Sequence, residues 1–86
     1  MYTLQIDEDL IKKFHKLEKK DKTQLEAINK KLQEILAEPQ RFKPLRYDMK
    51  NIKRVHILKS FVLTYKIDEQ NKKVILLAYD HHDKVY

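Results

Sequence analysis

The 86-residue sequence predicts one α+β domain: an N-terminal strand, then an antiparallel hairpin of two helices packed on a twisted antiparallel sheet of four or so strands. Three observations predict it. The length suits one domain with one modest core. Between Leu10 and Leu36 the apolar residues recur at three- and four-residue steps, the mark of helices with one greasy side. From Lys53 onward the pattern changes to three β-type runs joined by short polar connections, which read as an antiparallel meander.

Each element has its own signal. "YTLQI", Tyr2 to Ile6, alternates and is rich in strand formers. In "DEDLIKKFHKLEKK" the residues Leu10, Ile11, Phe14 and Leu17 share a helical stripe, and Asp7, Glu8 and Asp9 suit the positive end of the helix dipole. "KKDK" breaks that pattern. A second helix follows, with Thr23 and Glu26 spaced as a capping box and Asp21 with Gln24 as an overlapping candidate. Its stripe is Leu25, Ile28, Leu32, Ile35 and Leu36, and Pro39 ends it. "PQRFKPLRYDMKN" is irregular and basic, with room for a short strand at Leu45 to Tyr47. "KRVHIL", "FVLTYKI" and "KVILLAY" are the three β runs. The "KS" between the first two contains neither Gly nor Asn, so a longer or bulged turn is expected there.

Composition excludes several chemistries. The chain is 42% hydrophobic and 37% charged, which suits a folded domain rich in ion pairs. It has no cysteine, hence no disulfide framework, thiolate nucleophile or zinc ribbon, and no glycine, hence no glycine-rich phosphate loop. Its apolar runs fall far short of the roughly 20 residues of a membrane span. The N-terminus lacks the order of a signal peptide. A cytoplasmic protein without membrane contact is expected.

The net charge of +6 is unevenly placed. Residues 1–38 are neutral. Residues 39–66 carry eight bases (Arg41, Lys43, Arg46, Lys50, Lys53, Arg54, Lys59 and Lys66) against one acid, Asp48. A block of this kind is the electrostatic footprint of a polyanionic partner.

Two places carry candidate chemistry. In "KRVHIL" the two-residue period sends Val55 and Ile57 toward the helices, and Arg54 with His56 onto the open face of the sheet. The plain alternative for His56 is a half-buried strand histidine bonded to a neighbour. In the tail, "LAYDHHDKVY", His82 and Tyr86 are four apart and share a side, while His81 points away from His82 in a strand. Adjacent histidines facing opposite ways do not converge on one ion, so no metal and no cofactor are expected. The plain alternative for Tyr86 is an aromatic anchor for the tail. A face bearing arginine, two histidines and a tyrosine suits metal-free cleavage of RNA. One imidazole takes the ribose 2′-OH proton, the other protonates the leaving 5′-oxygen, and a guanidinium grips the phosphate. Tyr86 stacks on a base or donates a hydrogen bond.

"RVHILKSFVLTYKID…VILLAYDHHDKVY" resembles the RelE/ParE superfamily of toxin–antitoxin systems. The resemblance runs from the opening strand through the helical hairpin, the "KPL" before the sheet and the "LxYKI" strand to the terminal "H-x-x-V-Y". It implies a RelE-like fold and an mRNA endonuclease of RelE or YafQ type that acts on the ribosome, uses no metal and inhibits translation. It also implies a RelB-like antitoxin as cognate partner, with a toxin–antitoxin heterotetramer as one assembly. Carried over position by position, Arg54, His56, His82 and Tyr86 match the family's catalytic places. Lys43, Arg46, Lys50 and Lys53 are expected to hold the RNA backbone by charge. Asp80 or Asp83 would orient a histidine, and the spacing does not choose between them. The chain departs from the pattern at Val62 and at Ala78 or Asp80, where relatives often place arginines, and at Ser60, where YafQ-like members can have an aspartate. Because ParE-like members act on DNA gyrase without the nuclease set, the alternative is a gyrase inhibitor, or a purely regulatory binding protein, on the same fold.

Overall fold

The structure, a computed structural model, describes residues 2–44 and 51–85, the side chains of Lys84 and Val85 excepted. The short strand expected at Leu45 to Tyr47 and the site candidates Arg46, Lys50 and Tyr86 lie outside the described residues. The elements are β1 (Thr3–Gln5), α1 (Glu8–Lys20), α2 (Lys22–Ala37), a 3-10 turn (Pro39–Arg41), β2 (Ile52–Ile57), β3 (Phe61–Asp68), β4 (Lys73–His81) and a short α3 (His82–Val85).

Local chemistry sets the helix ends. The Asp7 carboxylate accepts from the Leu10 amide at 2.9 Å and caps α1. Asp21 does double duty at the joint. Its amide donates to the Leu17 carbonyl at 2.8 Å to close α1, and its carboxylate accepts from the Gln24 amide at 3.1 Å to open α2. The Gln24 side-chain amide donates back at 3.1 Å, so the capping pair is Asp21 with Gln24, and Thr23 with Glu26 lies inside the helix. Gln24 prevails because its side-chain oxygen is also needed deeper down, where it accepts from the buried Tyr79 hydroxyl.

The sheet order is β1-β4-β3-β2. β2–β3 and β3–β4 are antiparallel, as the meander predicts. β1 is the exception: it runs parallel to β4, pairing Thr3 with Lys73 and Gln5 with Ile75, so the sheet is mixed. A parallel pair requires a long crossover connection, and the helical hairpin with two strands supplies one here. The β2–β3 turn spans Leu58, Lys59 and Ser60, longer than two residues as expected, and Leu58 takes φ 56° to close it. A side chain with a Cβ pays about 1–2 kcal/mol in that left-handed conformation.

The core lies between the helices and one face of the sheet. Ile28, Leu32 and Ile35 of α2 pack with Val55, Ile57, Leu63, Tyr65, Ile67, Val74, Leu76 and Tyr79. Two tyrosines are stitched in by their hydroxyls. Tyr65 donates to the Pro39 carbonyl at 2.7 Å, and Tyr79 donates to Gln24. Burial pushes both phenols up, so they remain donors. A bulge in β4 makes the Tyr79 placement possible. Thr64 pairs with Ala78 but Tyr65 with Leu76, leaving Leu77 as the extra residue. Beyond Leu77 the alternation inverts, so that Tyr79 and His81 face the helices while Ala78 and Asp80 fall on the far face.

Candidate active site

The far face is organised by register. Across the three antiparallel strands Arg54 sits opposite Thr64, which sits opposite Ala78; the next row is His56, Val62 and Asp80. Residues directly opposite share a face, so Arg54 and His56 lie on the side away from α1 and α2, as the two-residue period requires. The two are about 6.5–7 Å apart along the strand. Val62, which stands where relatives often place an arginine, is 0% exposed. It therefore offers His56 an apolar neighbour in place of a cation. Lys66 is exposed on the same face, opposite Ile52.

The tail supplies the second imidazole. The backbone amide of His82 donates to the Ser60 carbonyl at 2.7 Å, which extends the β3–β4 ladder one step past His81 and pins the start of α3. His82 then stacks on His56, with ring centroids 5.5 Å apart and planes 30° from parallel. His56 is exposed and His82 half-buried, so both are within reach of solvent. His81 goes the other way. Its ring meets the edge of Phe61 at 5.6 Å, on the helix side, where Phe61 in turn stacks on Tyr79.

The two candidate orienting acids separate clearly. Asp80 is 3.4 Å from the Lys13 ammonium on α1. Asp83 places one carboxylate oxygen 3.9 Å from His82 Nδ1 and the other 3.7 Å from His81 Nδ1. The Asp83 amide also donates to His81 Nδ1 at 3.3 Å. Asp83 is thus the acid beside the imidazole pair. Among the described residues, no three His, Cys, Asp or Glu side chains are placed to hold a metal ion.

Of the expected phosphate-binding lysines, Lys43 is exposed and Lys53 is not. Lys53 is 8% exposed and opposite Tyr65. The same alternation that points Val55 and Ile57 at the helices carries Lys53 with them, and the residue is covered there. This corrects the expectation from the charge count. A cation can be part of a basic run and still lie on the wrong side of a strand. Lys31 of α2 and Arg41 of the 3-10 turn, by contrast, lie beside the outer edge of β2. Arg41 belongs to the basic block already counted, whereas Lys31 escapes a charge count because acids elsewhere in the first 38 residues cancel the α2 lysines.

The family model for the ParE toxin of type II toxin–antitoxin systems, parDE, matches residues 1–86. The chain belongs to the RelE/ParE superfamily of type II toxins. An uncharacterized protein of Methanosarcina mazei is 54% identical over 86 residues, covering 100% of both chains. A candidate toxin named RelE4 from Methanocaldococcus jannaschii is 49% identical over 86 residues, covering 100% of this chain and 92% of that protein. Among solved structures, a mutant of the E. coli toxin RelE in the free state is 25% identical with a TM-score of 0.79, over 99% of this chain and 90% of that one. The YoeB/ParE toxin from Agrobacterium tumefaciens has the same TM-score of 0.79 at 15% identity, over 93% of this chain and 98% of that one, and shows the shared fold. This toxin is therefore an α+β domain of two helices on a four-stranded mixed sheet, as those toxins are. No helix of the described residues is long and apolar enough to cross a membrane.

Proposed function

We propose that this toxin is an endoribonuclease that cuts mRNA during translation by acid–base chemistry of its own side chains, and that a cognate RelB-like antitoxin neutralises it. One observation carries the reading: two imidazoles from distant parts of the chain, His56 and His82, meet at 5.5 Å on the face that also holds Arg54. Stacked rings at that spacing can flank one ribose–phosphate linkage. One ring takes the proton of the 2′-OH, and that oxygen attacks the adjacent phosphorus. The bond from phosphorus to the 5′-oxygen breaks, and the second ring, as imidazolium, protonates the departing oxygen. The products are a 2′,3′-cyclic phosphate and a 5′-OH. Arg54 neutralises the charge that gathers on the non-bridging oxygens. Asp83, with a carboxylate oxygen 3.9 Å from His82 Nδ1, orients that ring, and His56 and His82 share the duties of base and acid. Tyr86, Arg46 and Lys50 keep the roles their sequence positions assign. Lys53 is left out of the RNA contacts because it is buried.

Two solved neighbours support the partner. One is described as a complex of YoeB with YefM from Staphylococcus aureus, the other as an E. coli RelE mutant bound to an antitoxin RelB peptide. The latter aligns with this chain at a TM-score of 0.75. Binding of an antitoxin in place of RNA accounts for neutralisation, and the cytoplasm is where both would meet the ribosome.

The matching family model is that of ParE, and this favours a second reading, a gyrase-directed toxin on the same fold. One experiment separates the two. The protein is added to a translating extract and, separately, to a gyrase supercoiling assay. The nuclease reading expects shortened mRNA with 2′,3′-cyclic phosphate or its opened product at the cut, and unchanged supercoiling. Intact mRNA with arrested supercoiling would replace it with the second reading.

A further inference from the structure

The outer edge of β2 faces α2 across a cleft that the chemistry above uses only at His56 and Arg54. Two hollows adjoin there. One, of about 260 Å³, is lined by Lys30, Lys31, Glu34 and His56 among others. The other, of about 420 Å³, is lined by Lys31, Arg41, Phe42, Lys43, Arg54 and His56. Lys31 and His56 belong to both, so the two form one cleft that passes the candidate catalytic histidine. Five bases line it against one acid. We propose that this cleft carries the RNA strand on one side of the cleaved linkage, held by its phosphates; the inference rests on the endonuclease reading and adds the path of the substrate.

The cations are held in place. Lys31 Nζ lies 5.7 Å from the centre of the Phe42 ring and the Arg41 guanidinium 5.8 Å from it. Glu34 lies 3.6 Å from Lys31 and 3.9 Å from Arg41. Phe42 and Glu34 thus act as positioning residues: an aromatic face and one carboxylate fix two cations, and the group keeps a net positive charge. Ordering long side chains in advance removes part of the entropy cost of gripping phosphates. Lys43 and Arg54 continue the line along the strand.

The edge itself favours a nucleic acid over an added protein strand. The Arg54 amide already donates to the Lys43 carbonyl at 3.0 Å, and Pro44 bridges to Lys53. At Arg54 the outward backbone amide that a β-strand partner would need is therefore in use, whereas Lys31, Arg41, Lys43 and Arg54 line an open hollow. A flexible polyanion needs only the cations.

The test uses single-stranded 2′-O-methyl RNA, which lacks the attacking hydroxyl and stays whole while bound. Its affinity for the full-length protein is read by fluorescence anisotropy across a salt series. The same proteins are tested on ordinary mRNA in a translating extract. In the double variant Lys30→Gln with Lys31→Gln, affinity is expected to fall roughly tenfold or more, and the salt slope to drop by about 1.4, since each lost phosphate contact removes ~0.7. Lys31→Arg, which keeps the charge, should retain both, and unchanged circular dichroism melting shows that the fold is intact. Unchanged affinity and slope in the double variant, while the wild type still cuts mRNA, overturns the cleft and leaves the nuclease standing. Cleft-dependent binding with no cutting by the wild type sinks the nuclease reading instead. Intact RNA binding with lost antitoxin binding makes the cleft a protein-docking surface and also overturns the proposal.

Discussion

His81 and His82 are adjacent in the chain, and the sheet sends them to opposite sides. His81 joins Phe61 and Tyr79 on the covered side, where its ring is a packing partner. His82 turns into α3 and stacks on His56 on the far side. Both rings reach solvent, and what separates them is their company: Phe61 and Tyr79 for His81, the His56 imidazole for His82. What decides is strand parity, set by the bulge at Leu77, and the 2.7 Å bond from the His82 amide to Ser60. The comparison extends to the two faces as wholes. One holds mostly apolar side chains and two tied-down phenols, with Lys53 and His81 as its polar members. The other holds Arg54, His56, Lys66 and His82, with Val62 and Thr64 as neutral spacers between them.

The largest expected effect that sharpens this contrast is on the far face. His56→Ala should cut mRNA cleavage by about 10²–10⁴-fold, the typical contribution of a positioned acid or base, with little change in melting temperature. On the covered face the order reverses. Ile57 is fully buried, so Ile57→Ala should destabilise the domain by about 2–5 kcal/mol in denaturant unfolding, and cleavage by the folded fraction should persist. Tyr79→Phe should cost about 1–3 kcal/mol, because it leaves the Gln24 oxygen buried without its donor. If Tyr79→Phe instead reduced cleavage without loss of stability, the division between faces would break.

The smallest effect lies at the other end of the sheet. Hydrogen bonds from the Tyr2 hydroxyl and the Gln40 amide hold the Glu69 carboxyl below its usual range. A carboxyl whose folded pKa is depressed contributes stability that is complete above its unfolded value, about 4.3, and is lost as pH falls through the folded value. Melting temperature should therefore fall below about pH 4, and Glu69→Gln should make that fall shallower. No change in slope would mean that the Tyr2–Glu69–Gln40 link does not hold β1 and the 3-10 turn to the β3–β4 turn.

The element order and the helical stripes were legible because burial of one face imposes a period. Leu10, Ile28, Leu32 and Ile35 are buried as that period demands, and so are Val55 and Ile57. The separation of Arg54 and His56 from the core followed from the same rule. The parallel pairing of β1 was not legible, because a three-residue strand carries no signal of direction. Nor was the bulge at Leu77: five apolar residues in a row, Val74 to Ala78 and beyond, look alike in either parity, and only the Tyr79–Gln24 bond shows why one is chosen. Lys53 was misread because a sum of charges ignores parity, although the alternation that placed Val55 also placed Lys53. That Asp80 lies beside Lys13 and not beside His82 was not legible either, because Lys13 is 67 residues away from it in sequence.

The most direct test of the division between the two adjacent histidines is a side-by-side assay of His81→Ala and His82→Ala on translating mRNA, with folding checked by circular dichroism. The account predicts loss of about a hundredfold or more in cleavage for His82→Ala and near wild-type cleavage by folded His81→Ala. Equal losses in the two variants, or full activity in His82→Ala, would contradict it.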